Sequence, residues 1–224
     1  MVIRRLAVSL CALGVMSCGH TIGYTLPDTY KTDAAPIDKV LRINAVVDKA
    51  TLNSTSKVIR DGVSYRGISA AGYRDGTVGP GVTAMLVKHF QFAGHFKAVL
   101  GPDDAAEADL DLSVELVEFD SLISLAPTAG ADGGAFGLMG NVSAASRAQT
   151  RAMRRVRVEF SNATVRDRSG QVLATETASA KDDKEVSAAE REGEQVYVNA
   201  DNTLREAIAQ LADKLAKSLG HSKP

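Results

Sequence analysis

Apolar and polar positions alternate most cleanly at Leu110, Leu112, Val114 and Leu116, interleaved with Asp111, Ser113, Glu115 and Val117. A period of two gives one buried and one wet face, so this spacing predicts a strand. Val156, Val158 and Phe160 alternate with Arg155, Arg157 and Glu159 in the same way. Asp167-Arg168-Ser169-Gly170 then reads as a turn, and residues 172–177 as the returning strand of a hairpin. Residues 40–47 are rich in β-branched side chains and predict a first strand, with short strands at 63–68 and 96–100.

Helical spacing appears twice. Val82, Met85, Leu86 and Phe90 recur at three and four residues, with Pro80 suited to the first turn and Gly94 to the end. Leu204, Ile208, Leu211, Leu215 and Leu219 form a second stripe, with Asp201 as the expected N-cap and Gly220 as the expected stop. Gly72, Gly76, Gly79 and Gly81 read as breaks in regular structure, residues 48–62 as a polar connection, and residues 181–195 as an exposed charged loop or a frayed helix start. Together the order predicts an α+β fold, two-layered, with a mainly antiparallel sheet and two helices on one face.

The first eighteen residues follow a different pattern. Arg4 and Arg5 precede an uncharged run of 11 residues, Leu6 to Met16, which is too short to cross a bilayer that needs about 20. Val15-Met16-Ser17-Cys18 closes it. The run reads as a secretory signal at 1–17. Val-Met-Ser-Cys resembles the lipobox of bacterial lipoproteins, which implies acylation of the Cys18 thiol and a mature chain beginning there. Several acyl chains hold a protein far more firmly than one, at about 0.8 kcal/mol per buried methylene. Resemblance to Gram-negative sorting, with Gly19 rather than Asp after the cysteine, implies the outer membrane, facing the periplasm. Residues 18–38, with Pro27 and Pro36, read as the lipidated end and a flexible tether, and 39–220 as a single domain.

Composition narrows the function. Without residues 1–17 the chain carries 24 basic and 27 acidic residues, a net charge of about −3, which is no nucleic-acid footprint. Cys11 departs with the signal and Cys18 becomes the anchor, leaving no pair for a disulfide. His20 and His221 lie near the ends, while His89 and His95 are six apart across a helix end and share no helical face. The acidic run Asp103 to Glu107 lacks the order of a calcium loop. No GxSxG, GxGxxG or GxxxxGK[ST] occurs. The expectation is a protein that binds rather than catalyses, with no cofactor.

Two segments stand out as candidates for contact. Residues 125–149 form a Gly-rich insertion carrying Phe136, Leu138 and Met139, read as a surface loop or as a flap that meets a partner or membrane. A transmembrane hairpin, as in a curli-type channel, lacks the alternation a spanning strand requires. Arg147, Arg151, Arg154, Arg155 and Arg157 make the one local basic cluster. Arg155 and Arg157 are expected to pair across the sheet with Asp111 and Glu115, whereas Arg147, Arg151 and Arg154 are candidates for lipid phosphate.

The order of features from Val40 to Leu219, including Phe92-Ala93-Gly94-His95-Phe96, Asp109-Leu110-Asp111-Leu112-Ser113-Val114 and Gly170-Gln171-Val172-Leu173-Ala174, resembles the auxiliary lipoproteins of ABC-type lipid transporters. More loosely it resembles small lipoproteins with a TolB amino-terminal-like domain. Gly72-Tyr73-Arg74-Asp75-Gly76 replaces the Trp-containing motif usual before the first helix. The resemblance implies a lipid-anchored accessory subunit of an envelope transport complex, attached to the membrane by its acyl chains. A ring-forming secretion or envelope-assembly lipoprotein and an activator of a cell-wall synthase stand as alternatives. The oligomeric state is open.

Overall fold

The computed structural model describes Ile22 and residues 36–50, 57–60, 63–69, 77–124, 152–186 and 195–221. Along the chain these form β1 (Ile37–Ile43), β2 (Val47–Asp48), β3 (Lys57–Arg60), β4 (Val63–Ser69), α1 (Val78–Ala93), β5 (Phe96–Leu100), β6 (Leu110–Ser124), β7 (Ala152–Asp167), β8 (Val172–Val186) and α2 (Gln195–His221).

All eight strands join one sheet, with β6 at its centre. One edge of β6 pairs with β7 along nearly its whole length, and β7 pairs with β8, both antiparallel. The other edge is shared in turn by three strands: β1 at Leu110–Leu112, β2 at Glu115–Leu116, and β4 at Asp120–Ser124. β1 and β2 run parallel to β6, and β5 runs parallel to β1. The sheet is therefore mixed: the expected antiparallel pairing holds for β3–β4, β4–β6, β6–β7 and β7–β8, whereas β1, β2 and β5 pair in parallel. The long meander β6–β7–β8 is antiparallel, as the hairpin signals suggested, but the N-terminal strand enters beside β6 in parallel.

Alternation holds within each long strand and is reset by bulges. On β6 the inward set is Leu110, Leu112, Val114 and Leu116, then Phe119, Ser121 and Ile123, because the register shifts between Leu116 and Glu118. On β7 the inward set passes from Val156, Val158 and Phe160 to Ala163 and Val165. The shift occurs at Asn162, whose φ of 49° places it in the left-handed region, and Asn162 Nδ2 donates to Glu115 Oε2 at 2.8 Å. One extra residue flips every later side chain unless the bulge absorbs it.

The core lies between the sheet's inner face and the two helices. α1 contributes Val82, Met85, Leu86 and Phe90, with Phe90 stacked on Phe96 at 6.2 Å between ring centroids. α2 contributes Leu204, Ile208, Leu211 and Leu215. The apolar stripes read from the sequence thus bury as expected.

Several boundaries differ. β8 runs to Val186, so residues 181–186 are strand rather than loop. β3 forms within the segment read as a polar connection. Gly79 and Gly81 lie inside α1 rather than breaking it. α2 begins six residues before Asp201, which is buried within the helix rather than capping it, and Gly220 is helical. Gly94 does end α1, in the left-handed conformation at φ 66°. No helix among the described residues is long and apolar enough to cross a membrane.

Candidate functional site

Cys18, Phe136, Leu138, Met139, Arg147 and Arg151 lie outside the described residues. Arg154 is described, as are both strands from which the Gly-rich insertion departs and to which it returns, β6 at Ser124 and β7 at Ala152. This end of the sheet is the candidate site, built from the frame upward.

The two feet are tied together where they separate: the Met153 backbone N–H donates to Ser124 Oγ at 2.8 Å. Ile123, Ala152 and Val186 form a small apolar cluster of their own, apart from the main core. Arg154 projects from the inner face of β7, in line with Val156 and Val158, and is only 7% exposed. Its guanidinium is ion-paired and hydrogen-bonded to Asp182 of β8. A phosphate reaching Arg154 has to displace that carboxylate. Met153, on the other face, is 45% exposed.

Arg155 and Arg157 sit on the outer face and pair across the sheet, but with β8 rather than β6. Arg157 grips Asp183 through two bonds, Nη1 to Oδ1 at 2.6 Å and Nη2 to Oδ2 at 2.8 Å, and Arg155 Nε lies 3.9 Å from the same carboxylate. The hydrogen bond from Arg157, with the charges of Arg157 and Arg155, holds the Asp183 carboxyl below the usual carboxylate range. The acids expected as their partners are taken elsewhere. Glu115 pairs with Lys49 at 2.7 Å, and that hydrogen bond is the first cause of its lowered pKa. Asp111 lies 4.0 Å from Arg42. The reason is β8 itself: it runs on to Val186 and brings Asp182 and Asp183 beside these arginines. The foot of the insertion is thus clamped by Arg–Asp pairs on both faces of β7–β8.

Two other polar places lie elsewhere among the described residues. A shallow recess of about 470 Å³ is lined by Arg42, Ala105 to Ala108 and Arg168. Its cations are spent on the loop that forms it: Arg42 donates to the carbonyls of Asp104 and Ala106, and Arg168 Nε to that of Ala108 at 2.9 Å, with Asp109 3.2 Å from Arg168 Nη2. This is a loop fastened over the outer face of β1 rather than an open anion seat.

The second place lies where α1 meets α2. His89 and His95 are both buried, and His95 Nε2 is 3.3 Å from Asp213 Oδ1 on α2. Burial lowers the His89 pKa to about 4, with Asp213 opposing and His95 and Arg205 adding to the drop. His89 falls on the stripe of Met85, Leu86 and Phe90, so its burial was readable from spacing. Asp213 is off the α2 stripe and gave no such signal. Among the described residues no three His, Cys, Asp or Glu side chains are placed to hold a metal.

No family model matches this chain, and no curated protein matches it. Solved structures do. A Xanthomonas campestris protein described under the family name DUF330 aligns at 13% identity and TM-score 0.43, covering 84% of this chain and 87% of that one. An uncharacterized protein aligns at 10% identity and TM-score 0.38, over 83% and 94%. A minor lipoprotein from Acinetobacter baumannii aligns at 11% identity and TM-score 0.33, over 85% and 100%. With every TM-score below 0.5, these structures lend the chain neither a name nor an activity.

Proposed function

We propose that this chain is a lipid-anchored, periplasm-facing accessory subunit of a cell-envelope transport complex, acting by binding rather than by catalysis. The observation that carries the reading is the N-terminal pattern: Arg4-Arg5, an uncharged run of 11 residues, then Val15-Met16-Ser17-Cys18. The domain adds a mode of action. A sheet end braced by Arg154–Asp182 and Arg157–Asp183 carries the insertion with Phe136, Leu138 and Met139 to whatever it meets. Resemblance to the auxiliary lipoproteins of ABC-type lipid transporters supports the partner class, and Gly19 rather than Asp after Cys18 supports the outer-membrane location.

The test is chemical cross-linking in cells, mild detergent extraction, and purification by a C-terminal tag. The reading expects envelope transport components to co-purify and Cys18→Ser to shift the protein from the membrane to the soluble fraction. Recovery of the lipoprotein alone, or unchanged fractionation of Cys18→Ser, overturns it.

A further inference from the structure

The anchor and the fold meet at one residue. Ile22 packs against the main core as a partly buried side chain. Its seat is Gly81, in the first turn of α1: a Cβ placed on Gly81 comes within 3.0 Å of Ile22 Cβ and 3.4 Å of Ile22 Cδ1. The absent side chain at Gly81 is the space Ile22 uses. A residue only four positions from Cys18 is therefore docked on the domain.

We infer that the first turn of α1 is the membrane-facing pole of the domain, with the phospholipid bilayer as the partner of that surface. The inference rests on acylation of Cys18. Four residues span at most about 14 Å, so Gly81 is held within that reach, plus the width of the Ile22 contact, of the acylated sulfur. A free tether over 18–38 would reach about 70 Å. A domain of this length is about 40 Å across, so the long tether leaves every orientation open, whereas the short leash selects one. Pro80 and Ala84 flank the seat and are exposed, so they lie at this pole. Lys181, exposed on the outer face of β8 at the far edge of the sheet from β5, lies on the side turned away.

The full acylated protein, reconstituted in phosphatidylethanolamine–phosphatidylglycerol vesicles with a headgroup-linked acceptor dye, tests this. A donor dye is placed through Ala84→Cys in one sample and Lys181→Cys in another, since the thioether at Cys18 leaves no other free thiol in the mature chain. Energy transfer is expected to be at least twofold greater from position 84 than from 181. Ile22→Ser and Gly81→Leu, which empty and block the seat by separate routes, should each bring the two efficiencies together while the protein stays on the vesicles. Equal transfer in the unaltered chain, or an undiminished difference in both seat variants, overturns the inference. Retention of Cys18→Ser on the vesicles is a separate failure: it removes the anchor itself.

Discussion

Single residues decide two features here by backbone geometry and by charge. Gly94 ends α1 at φ 66°, and a Cβ there meets nothing within 4 Å. Gly94→Ala is therefore a pure test of backbone strain, expected to cost about 1 kcal/mol in urea-denaturation stability. Arg154 and Asp182 make an asymmetric pair, the guanidinium side 8% exposed and the carboxylate side 39%. Removing the acid strands a buried cation, whereas removing the cation frees an acid that water can reach. Asp182→Ala is expected to destabilise by about 2 kcal/mol and Arg154→Met by less than about 1 kcal/mol, measured by the same unfolding curves. Equal costs would show that the guanidinium draws on solvent rather than on Asp182.

At the level of elements, the α1–α2 contact has a proton dependence set by His89. Its folded pKa, about 4, lies below the value of 6.5 for a free side chain. The unfolded chain therefore binds the extra proton first, and stability falls as pH drops from 6.5 to 4. The groups acting on His89 are Asp213 and Arg205 from α2 and His95 from the turn after α1. The midpoint of urea unfolding is expected to fall across this window, and His89→Gln should flatten the fall. The lowered carboxyls of Asp109, Glu115, Asp167 and Asp183 lose their contribution at lower pH, below the ordinary carboxylate value, so the two effects separate.

The same level shows how far the sequence could be read. Both helix stripes and the cores of β6 and β7 were legible because apolar residues there follow a single period. Their ends were not. The bulges after Leu116 and at Asn162 reset the alternation, so a fixed period of two stops short of Ser124 and Asp167. From Ala178 to Glu185, β8 is built from Ala, Ser, Lys, Asp and Glu, which favour strands weakly. It is strand because β7 offers it a continuous ladder from Ala152 to Phe160. A pairing partner is invisible to a local window, and with it went Asp182 and Asp183, the acids that pair with Arg154, Arg155 and Arg157. Asp201 suits a cap by type, yet α2 starts at Gln195, and Tyr197 and Ala200, ahead of Asp201, pack on the core.

For the whole molecule, connectivity matters more than any one contact. β6, β7 and β8 follow one another as a meander, and α2 packs back on it. β1 by contrast pairs with residues far ahead of it, as in the backbone bond from the Asp109 N–H to the Val40 carbonyl at 2.9 Å, 69 positions apart. Near neighbours meet faster than distant ones because closing a long loop is entropically costly. Pulse-labelled hydrogen exchange during refolding is expected to show amides of β7 and β8 protected before those of β1. The opposite order would mean that the parallel pairing nucleates the domain.

That placement has a consequence for biogenesis. A ribosome delivers β1 before either of its neighbours in the sheet exists, and some seventy further residues must appear before the slot beside β6 can receive it. Throughout that interval Leu41 and Ile43, which end with no solvent exposure at all, lack the strand that completes their burial. A strand made this far ahead of its partners leaves apolar residues uncovered during synthesis, and exposed segments of that kind favour aggregation until they pair.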